Sequence, residues 1–554
     1  MPTTDSARRT PRQRLKALRR PHRYTLVACA IGLAATIVAC GGSESAPTFN
    51  TPPATTPPGA VTPPPVLLPS TVNGPAWTNF GRDAQHTGQS AIASQPLTRI
   101  LWQTPVDIVP QYSERGYLLT HYGSPVITSK NTVLVPVKGT LAGGFRVEAR
   151  AGFNSAQIWT MNSDYLLPAH EWKPSYNITL TANNRVLAPG AGGKVLYRDD
   201  ADSATSANQS LVFYGDAVYQ ANKAAMDASV AINTPITADK DGNIYFGFVV
   251  QGSNPAGLTS GFARIGADGK ANWVSARATA GEAVISKPAM NSAPALSNDQ
   301  KTLYVVVNGE PFSTTRYQAY LLALDSTTLA LKSKVQLLDP SSATPARASD
   351  DGTASPAIGP DGDVFIGVLE TTAGRNNSRG WLLHFNAALT QEKTPGAFGW
   401  DITPSIVPAA MVPSYKGSSS YLLMTKYNNY GRSGTGDGRN RIAILDPTVS
   451  MRDPISQLPV MQEVLTILAP TRDPNVPGGV IEWCINTAAV DPFTKSVLVN
   501  SEDGYLYRWD LNTNTLSEKI QLTSGLGESY TPTAIGPDGT VFAINNAILF
   551  ALGK

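Results

Sequence analysis

Cysteine is nearly absent: the 554 residues contain three, Cys29, Cys40 and Cys484. The first two lie in an N-terminal apolar run, which leaves Cys484 alone in the rest of the chain. A single cysteine excludes an intramolecular disulfide framework. Cys484, in EWCIN, reads as a small core residue rather than a nucleophile, because no histidine sits in an obvious partner motif. Charge is also scarce, at 15% of residues, and its small basic excess is misleading. Residues 1–39 hold eight Lys/Arg (Arg8, Arg9, Arg12, Arg14, Lys16, Arg19, Arg20 and Arg23) against Asp5, so 36 basic and 40 acidic residues remain. That balance excludes a basic groove for nucleic acid. The apolar run YTLVACAIGLAATIVAC, residues 24–40, is short for a membrane span and right for the core of a signal peptide.

What is present begins with that leader. It ends in Ile37-Val38-Ala39-Cys40-Gly41, which resembles the lipobox of bacterial lipoproteins. The resemblance implies cleavage before Cys40, acylation of its thiol and new amino group, and a stable anchor, since several acyl chains hold where one does not. Glycine after the cysteine, rather than aspartate, implies the outer membrane and a periplasm-facing protein. Residues 40–75 then form the lipidated cysteine and a Pro/Thr/Ser-rich tether, too poor in apolar residues to fold. Residues 76–554 are the globular part. Glycine (47) and proline (43) are plentiful, which favours turns over helices.

From Trp77 onward one phrase recurs. A small residue, often followed by proline, opens an apolar stretch; a turn and a β-branched or aromatic strand follow. It appears as SPVITSKNTVLVPV (124–137), NITLTANNRVLAP (177–189), TPITADKDGNIYFGF (234–248) and APALSNDQKTLYVVV (293–307). It continues as SPAIGPDGDVFIGV (355–368), TPSIVPAAMVPSYKGSSSYLLMT (403–425), NTAAVDPFTKSVLVNSEDG (486–504) and TPTAIGPDGTVFAIN (531–545). The turns Asp241-Gly242, Asp361-Gly362 and Asp538-Gly539 are spaced by two and three units of about 60 residues. Asp-Gly supplies the positive φ of tight hairpin turns. A third strand follows most copies: YLLALD (320–325), GWLLHFN (380–386), RIAILD (441–446), YLYRWDL (505–511) and ILFALG (548–553).

Eight β-units at a regular period predict an all-β, eight-bladed propeller of four-stranded antiparallel blades. A minimal blade needs only about 40–45 residues, so long inserted loops are expected. The last unit stops at Lys554 after its third strand. The missing strand is TRILWQTPV (98–106), which predicts closure of the ring by pairing of N- and C-terminal strands. This bears on WTNFGRDAQHTGQS (77–90), which puts Arg82, Asp83 and His86 within five residues. The segment leads into the closing strand, and its polar side chains are read as satisfying backbone groups where the chain joins the ring.

WTNFGRDAQHTGQS followed by ILWQTPV, with the phrases SPAIGPDGDVFIG and TPTAIGPDGTVFAI, resembles pyrroloquinoline-quinone (PQQ)-like β-propeller repeat proteins over about residues 77–554. That family includes quinoprotein dehydrogenases and non-catalytic scaffolds, one of them a lipoprotein of the outer-membrane β-barrel assembly machinery with shorter blade inserts. The dehydrogenase branch implies a quinone, often stacked on adjacent cysteines, with calcium as Lewis acid. This chain has neither adjacent cysteines nor the CxxCH haem site of some relatives.

Two segments gather polar residues. YNNYGRSGTGDGRN (427–440) brings Asn428, Asn429, Asp437 and Asn440 into a glycine-rich loop, a candidate site for calcium or a polar ligand. EF-hand spacing is absent, and the same residues serve turns. EWCINTAAVDP and NSEDGYLYRWDL bring Glu482, Trp483, Glu502, Asp503 and Trp509 together, yet the acids fall in turns of one unit rather than facing each other as a glycosidase pair must.

The sequence thus describes a lipid-anchored cell-envelope propeller that binds a protein or polymer partner, without a catalytic set, cofactor or metal site of its own. The competing readings are a PQQ- and calcium-dependent oxidoreductase and a glycan-binding propeller with aromatics along one rim. Cys40→Ala should release the protein from the membrane fraction or stall its processing. Unchanged mass and partitioning of that variant would rule out lipidation.

Overall fold

A computed structural model describes residues 71–112, 118, 122–140, 143–168, 176–309, 318–350, 352, 354–524 and 529–554. The leader, Cys40 and the tether up to residue 70 lie outside the described residues. Each of the eight sequence phrases forms the first two strands of one antiparallel sheet. Blade 1 runs Val126–Ile127, Thr132–Val137, Arg146–Ala151 and Gln157–Asn162. Blade 2 runs Thr179–Leu180, Val186–Pro189, Val195–Arg198 and Asn208–Leu211. In blade 3, Val230–Ile232 and Thr237–Ala238 share the inner position, followed by Ile244–Val250, Gly261–Ile265 and Ala271–Ser275. Blade 4 repeats this with Lys287–Pro288 and Ala295–Leu296, then Thr302–Asn308, Ala319–Asp325 and Leu331–Gln336.

Blade 5 has three regular strands, Ala357–Ile358, Val364–Val368 and Trp381–Phe385. Its outer position is held by isolated bridges from Glu392 to Phe385 and Gly396 to Leu382. Blade 6 is Ser405–Pro408, Tyr421–Tyr427, Arg441–Arg452 and Pro459–Leu468. Its last two strands are long, and their register breaks between Asp446 and Ser450. The bent hairpin covers blade 5: the Met461 amide donates to the Pro395 carbonyl at 2.8 Å, and Arg379 meets Asp453 at 2.7 Å, both side chains buried. Blade 7 is Ala489–Asp491, Ser496–Asn500, Tyr505–Asp510 and Thr515–Gln521.

Blade 8 confirms the expected closure. Ala534–Ile535, Val541–Asn545 and Ile548–Gly553 come from the C-terminus, and Arg99–Pro105 supplies the outer strand, with Trp102 opposite Ala551. Trp102 also ties the seam to the next blade, donating its indole N–H to the Gly152 carbonyl at 2.7 Å. Trp159 does the same one blade on, to the Ala201 carbonyl at 2.8 Å. The Asp-Gly turns take the expected positive φ at Gly242, Gly362 and Gly539. Alternate residues of the strands fill the space between blades, as in the cluster of Phe365, Trp381, Leu423 and Leu445 across blades 5 and 6.

Small and polar residues at or near the start of the phrases have a physical role: they bond across to the neighbouring blade, although Thr234 bonds the Gly247 amide of its own blade. Ser124 N–H donates to Asn177 Oδ1 at 3.3 Å, and the Thr179 hydroxyl to the Ile236 carbonyl. The Thr237 hydroxyl donates to the Pro294 carbonyl at 2.6 Å, and the Ala293 amide to Ser355 Oγ at 2.9 Å. The Ser355 amide donates to Thr403 Oγ1 at 2.9 Å, and the Thr403 amide to Asn486 Oδ1 at 3.1 Å. Asn500 Nδ2 donates to the Ile544 carbonyl at 2.7 Å, and the Thr531 hydroxyl closes blade 8 onto the Tyr122 carbonyl at 3.1 Å. Every adjacent pair of blades is bonded.

Residues 77–90 run along the inner edges of the blades in order. Trp77 exchanges both backbone bonds with Ile127 of blade 1, and the Leu180 amide of blade 2 donates to Thr78 O at 2.8 Å. The Asn79 side chain pairs with the Ala238 backbone of blade 3, accepting at 2.8 Å and donating at 3.3 Å. Leu296, Ile358, Ile406 and Val490 of blades 4 to 7 donate in turn to Ala84 O, Gln85 O, Thr87 O and Gly88 O, at 2.8, 3.0, 2.9 and 2.8 Å. The Gln95 amide then reaches Gly539 O of blade 8 at 2.8 Å. Buried backbone N–H groups must be paired, and this strap pairs seven that face inward.

Arg82, Asp83 and His86 shape the strap. Positive φ at Gly81, Arg82, His86 and Gly88 coils it. Asp83 accepts the Gln85 and Thr87 amides at 3.3 and 3.0 Å and pairs with Arg82 at 3.0 Å. His86 is fully buried, its Nδ1 donating to the Pro356 carbonyl at 2.7 Å and its ring edge-on to Phe80. Burial lowers its pKa to about 4, outweighing the raising effects of Pro356 O and Asp83.

Two outcomes follow from the ring and its strap. Deleting residues 97–106 should bare the edge of blade 8 and drive aggregation, read by light scattering; a monodisperse deletion protein would contradict the seam. Because His86 is neutral in the fold, its stability contribution is complete above pH 6.5 and falls away as pH drops toward 4, by about 3 kcal/mol. His86→Asn, which tolerates the positive φ, should flatten that slope in denaturant titrations at pH 7.5, 5.5 and 4. An unchanged slope would show that His86 does not carry it.

Candidate functional site: the loop face and the axis

Antiparallel blades divide their connections between two faces. Turns joining first to second and third to fourth strands lie on one, the turn face. Second-to-third loops and blade-to-blade connections lie on the other, the loop face. Most turn-face connections are short, such as 128–131, 181–185, 239–243 and 536–540, with 409–420 a longer one, while the bent hairpin of blade 6 carries 453–458 to Arg379 of the loop 369–380. The loop face carries 251–260, 369–380 and 428–440, and the connections 163–168 with 176–178, 212–229, 276–286 and 469–488. The helices Asp216–Ala221, Lys223–Ser229 and Ala276–Ala280 sit in these connections. The excess length expected from the sequence is therefore spent mostly on one face.

Buried ion pairs fix that face. Asp107 and Lys138 meet at 2.8 Å with both side chains essentially inaccessible, and the Tyr122 hydroxyl donates to Asp107 at 3.0 Å. The same ammonium donates to Val109 O at 3.0 Å, holding a loop that exposes Ile108, Val109 and Tyr112. Lys287 pairs with Asp350 at 2.5 Å and bonds Asn308 Oδ1 at 3.0 Å. Glu370 accepts the amides of Ser378 and Gly380 at 2.8 and 2.9 Å, while burial pushes its carboxyl up. Each charge has its partner, so these pairs specify loop geometry more than they add stability.

The structure brings the sequence-predicted residues of 427–440 together, bonded among themselves and to the protein. Asn428 is buried and pairs with the Trp483 backbone, donating at 2.9 Å and accepting at 3.2 Å. Asn429 donates to exposed Asp437 at 2.7 Å and accepts from Asn377 at 2.8 Å. Asn440 accepts the Asn429 amide at 3.1 Å and donates to Val480 O at 2.8 Å. Asp503 lies in a blade 7 turn and accepts the Tyr507 and Thr471 hydroxyls at 2.7 and 2.6 Å, while Trp483 and Trp509 are core residues.

A cluster that sequence reasoning missed lies where blades 5 to 8 meet. Lys426 is fully buried on the second strand of blade 6, its ammonium 5.3 Å from the Tyr530 ring centroid and 5.9 Å from that of Phe398. The Tyr530 hydroxyl donates to Asp401 O at 2.8 Å, and its ring packs on buried Cys484. The Ser529 hydroxyl donates to Cys484 O at 2.7 Å. The signal was in YLLMTKY, where Lys426 takes the same strand face as Leu422 and Met424. The two described buried histidines are engaged elsewhere, His86 with Pro356 and His384 with Asp363 at 2.8 Å.

These residues do not fit a calcium-assisted quinone. Among the described residues no three His, Cys, Asp or Glu side chains gather as metal ligands, whereas calcium takes an oxygen-rich, carboxylate-bearing shell. The cation of the axial cluster is covered by two aromatic rings.

No protein-family model and no curated protein sequence matches the chain. Solved structures do. The chain is similar to a europium-containing methanol dehydrogenase, with a TM-score of 0.53 and 10% identity, over 86% of this chain and 90% of that one. It is similar to the quinohemoprotein alcohol dehydrogenase from Comamonas testosteroni, with a TM-score of 0.53 and 12% identity, over 87% and 81%. The likeness to BamB from Moraxella catarrhalis has a TM-score of 0.39 and 10% identity, over 82% and 98%. At such identities the dehydrogenases establish a shared fold and no more. The chain has the eight-bladed, PQQ-like propeller fold.

Proposed function

We propose that the protein is a lipid-anchored cell-envelope propeller that binds a protein or polymer partner on its loop face and catalyses no reaction. The observation that carries this reading is the asymmetry of the two faces. The chain reaches the ring at the turn face, where the Gly74 amide donates to Ser129 O at 3.0 Å and Gly74 lies against Pro537. Anchoring through Cys40 would thus leave the loop face, with its long connections fixed by buried ion pairs, turned toward other molecules. Rigid scaffolds that carry variable loops at one end are built for binding. The exposed aromatics Tyr112, Phe153 and Phe493 are divided between the two faces, which does not favour a glycan-binding rim.

The test compares two variants in pull-downs from detergent-solubilised envelope. Ile108→Asp with Tyr112→Asp alters the loop face, and Phe493→Asp the turn face. A partner retained by wild type and Phe493→Asp but lost by the loop-face variant supports the reading; equal retention by all three removes it. Calorimetry with PQQ and calcium should give no stoichiometric binding. Tight binding with dye-linked alcohol or sugar oxidation would replace the scaffold by a quinone-dependent oxidoreductase.

A further inference from the structure

Lys138 and Lys287 each sit in a buried ion pair on the loop face, but their further bonds differ. Beyond Asp107, Lys138 donates to a backbone carbonyl, Val109 O, at 3.0 Å. Beyond Asp350, Lys287 donates to a side-chain carboxamide, Asn308 Oδ1, at 3.0 Å. Lys287 opens the first strand of blade 4, Asn308 closes the second, and the two are direct cross-strand partners. Asp350, from the connection to blade 5, touches both. Its oxygens lie 2.6 and 2.5 Å from Lys287 Nζ, and its Oδ1 accepts from Asn308 Nδ2 at 3.0 Å. The Met290 amide donates to the same oxygen at 3.2 Å and fixes the carboxylate. Asn308 Nδ2 gives its second hydrogen to Ala348 O at 2.9 Å. Lys287, Asn308 and Asp350 are all buried.

We propose that Lys287 and Asn308 join in an intramolecular isopeptide bond, with Asp350 as the proton carrier. An amine, a carboxamide carbon and an acid–base group in mutual contact are the reactants of amide exchange. Asn308 Cγ lies one C=O bond, about 1.2 Å, beyond the oxygen that Lys287 Nζ already touches. Groups held this way react as one molecule, without the entropy cost of meeting. Lys287 passes one proton to Asp350, and the amine nitrogen attacks Cγ. The new C–N bond forms and the Cγ–Nδ2 bond breaks. A further proton passes from the attacking nitrogen through Asp350 to Nδ2, which departs as ammonia. Asp350 ends as a neutral acid beside the new amide, so no buried charge is left without a partner. Burial keeps water, the competing nucleophile, away from Cγ. The bond staples the first two strands of blade 4 and narrows the unfolded ensemble as a disulfide does. A disulfide cannot fill that role, since Cys484 is the one cysteine among the described residues. The staple is independent of partner binding and of the anchor at Cys40.

The test is mass spectrometry of a tryptic digest of the purified, denatured full chain. Residues 278–301 and 302–316, though cut apart after Lys301, should appear as one branched product. Its mass should fall below the sum of the two peptides by one ammonia, about 17 Da, with fragmentation placing the join at Lys287 and Asn308. A digest in which both peptides run free overturns the proposal. So does an ammonia lost within 302–316 alone, which marks a succinimide at Asn308-Gly309. Asp350→Asn keeps the size of the side chain but cannot carry the proton, so its digest should release the two peptides separately. A branched product that persists in Asp350→Asn at wild-type yield overturns the role given to Asp350. The wild-type digest needs no variant, so misfolding of Asp350→Asn cannot hide the bond or its absence.

Discussion

A ring of sheets leaves one edge of every first strand turned toward the axis, and those edges must be paired for the ring to be a folded protein at all. Burying an amide without a partner costs about as much as a lost hydrogen bond. Here the strap of residues 77–90 supplies acceptors to seven blades one after another. The local chemistry of the strap follows from that task. Gly81 and Gly88 allow the coil, Asp83 holds its amides, and His86 stays neutral because a charged imidazole has no solvent there. The blades can then be irregular elsewhere, as blade 5 is, because axis and girdle already fix their order.

The repeat was legible because three jobs recur along the phrases with few residue types. In most phrases a small residue near the start bonds across blades, the short apolar stretch lines the axis, and in three of them Asp-Gly turns the chain. The closing strand was legible too, since ILFALG at the C-terminus lacked a partner that TRILWQTPV could supply. What escaped was contact between distant residues. Nothing around Asp446 and Ser450 announces a register break, so the hairpin that covers blade 5 could not be read ahead of the structure. Lys426 and Tyr530 belong to different units, and only the ring brings them together. In the 427–440 loop Asn428 and Asn440 bond backbone groups of the next connection, contacts that no local pattern announces.

The loop face owes its definition to charge rather than to apolar packing. Asp107–Lys138, Lys287–Asp350 and Arg379–Asp453 each join segments distant in sequence. Pairing charges out of water adds little net stability, but breaking one partner leaves an uncompensated charge, so alternative loop placements are disfavoured. A binding surface built this way loses little conformational entropy when a partner arrives.

The strap also sets an order in time. Chains emerge N-terminus first, so Trp77 to Ser90 appear before any blade exists to receive them. Ile127 follows soon, but Gly88 must wait for Val490, most of the chain later. Contacts of such separation form slowly, since loop closure precedes any gain from them. The first segment of the fold to be made is therefore among the last to be placed, and until then seven inner edges stay open to pairing with the wrong strand.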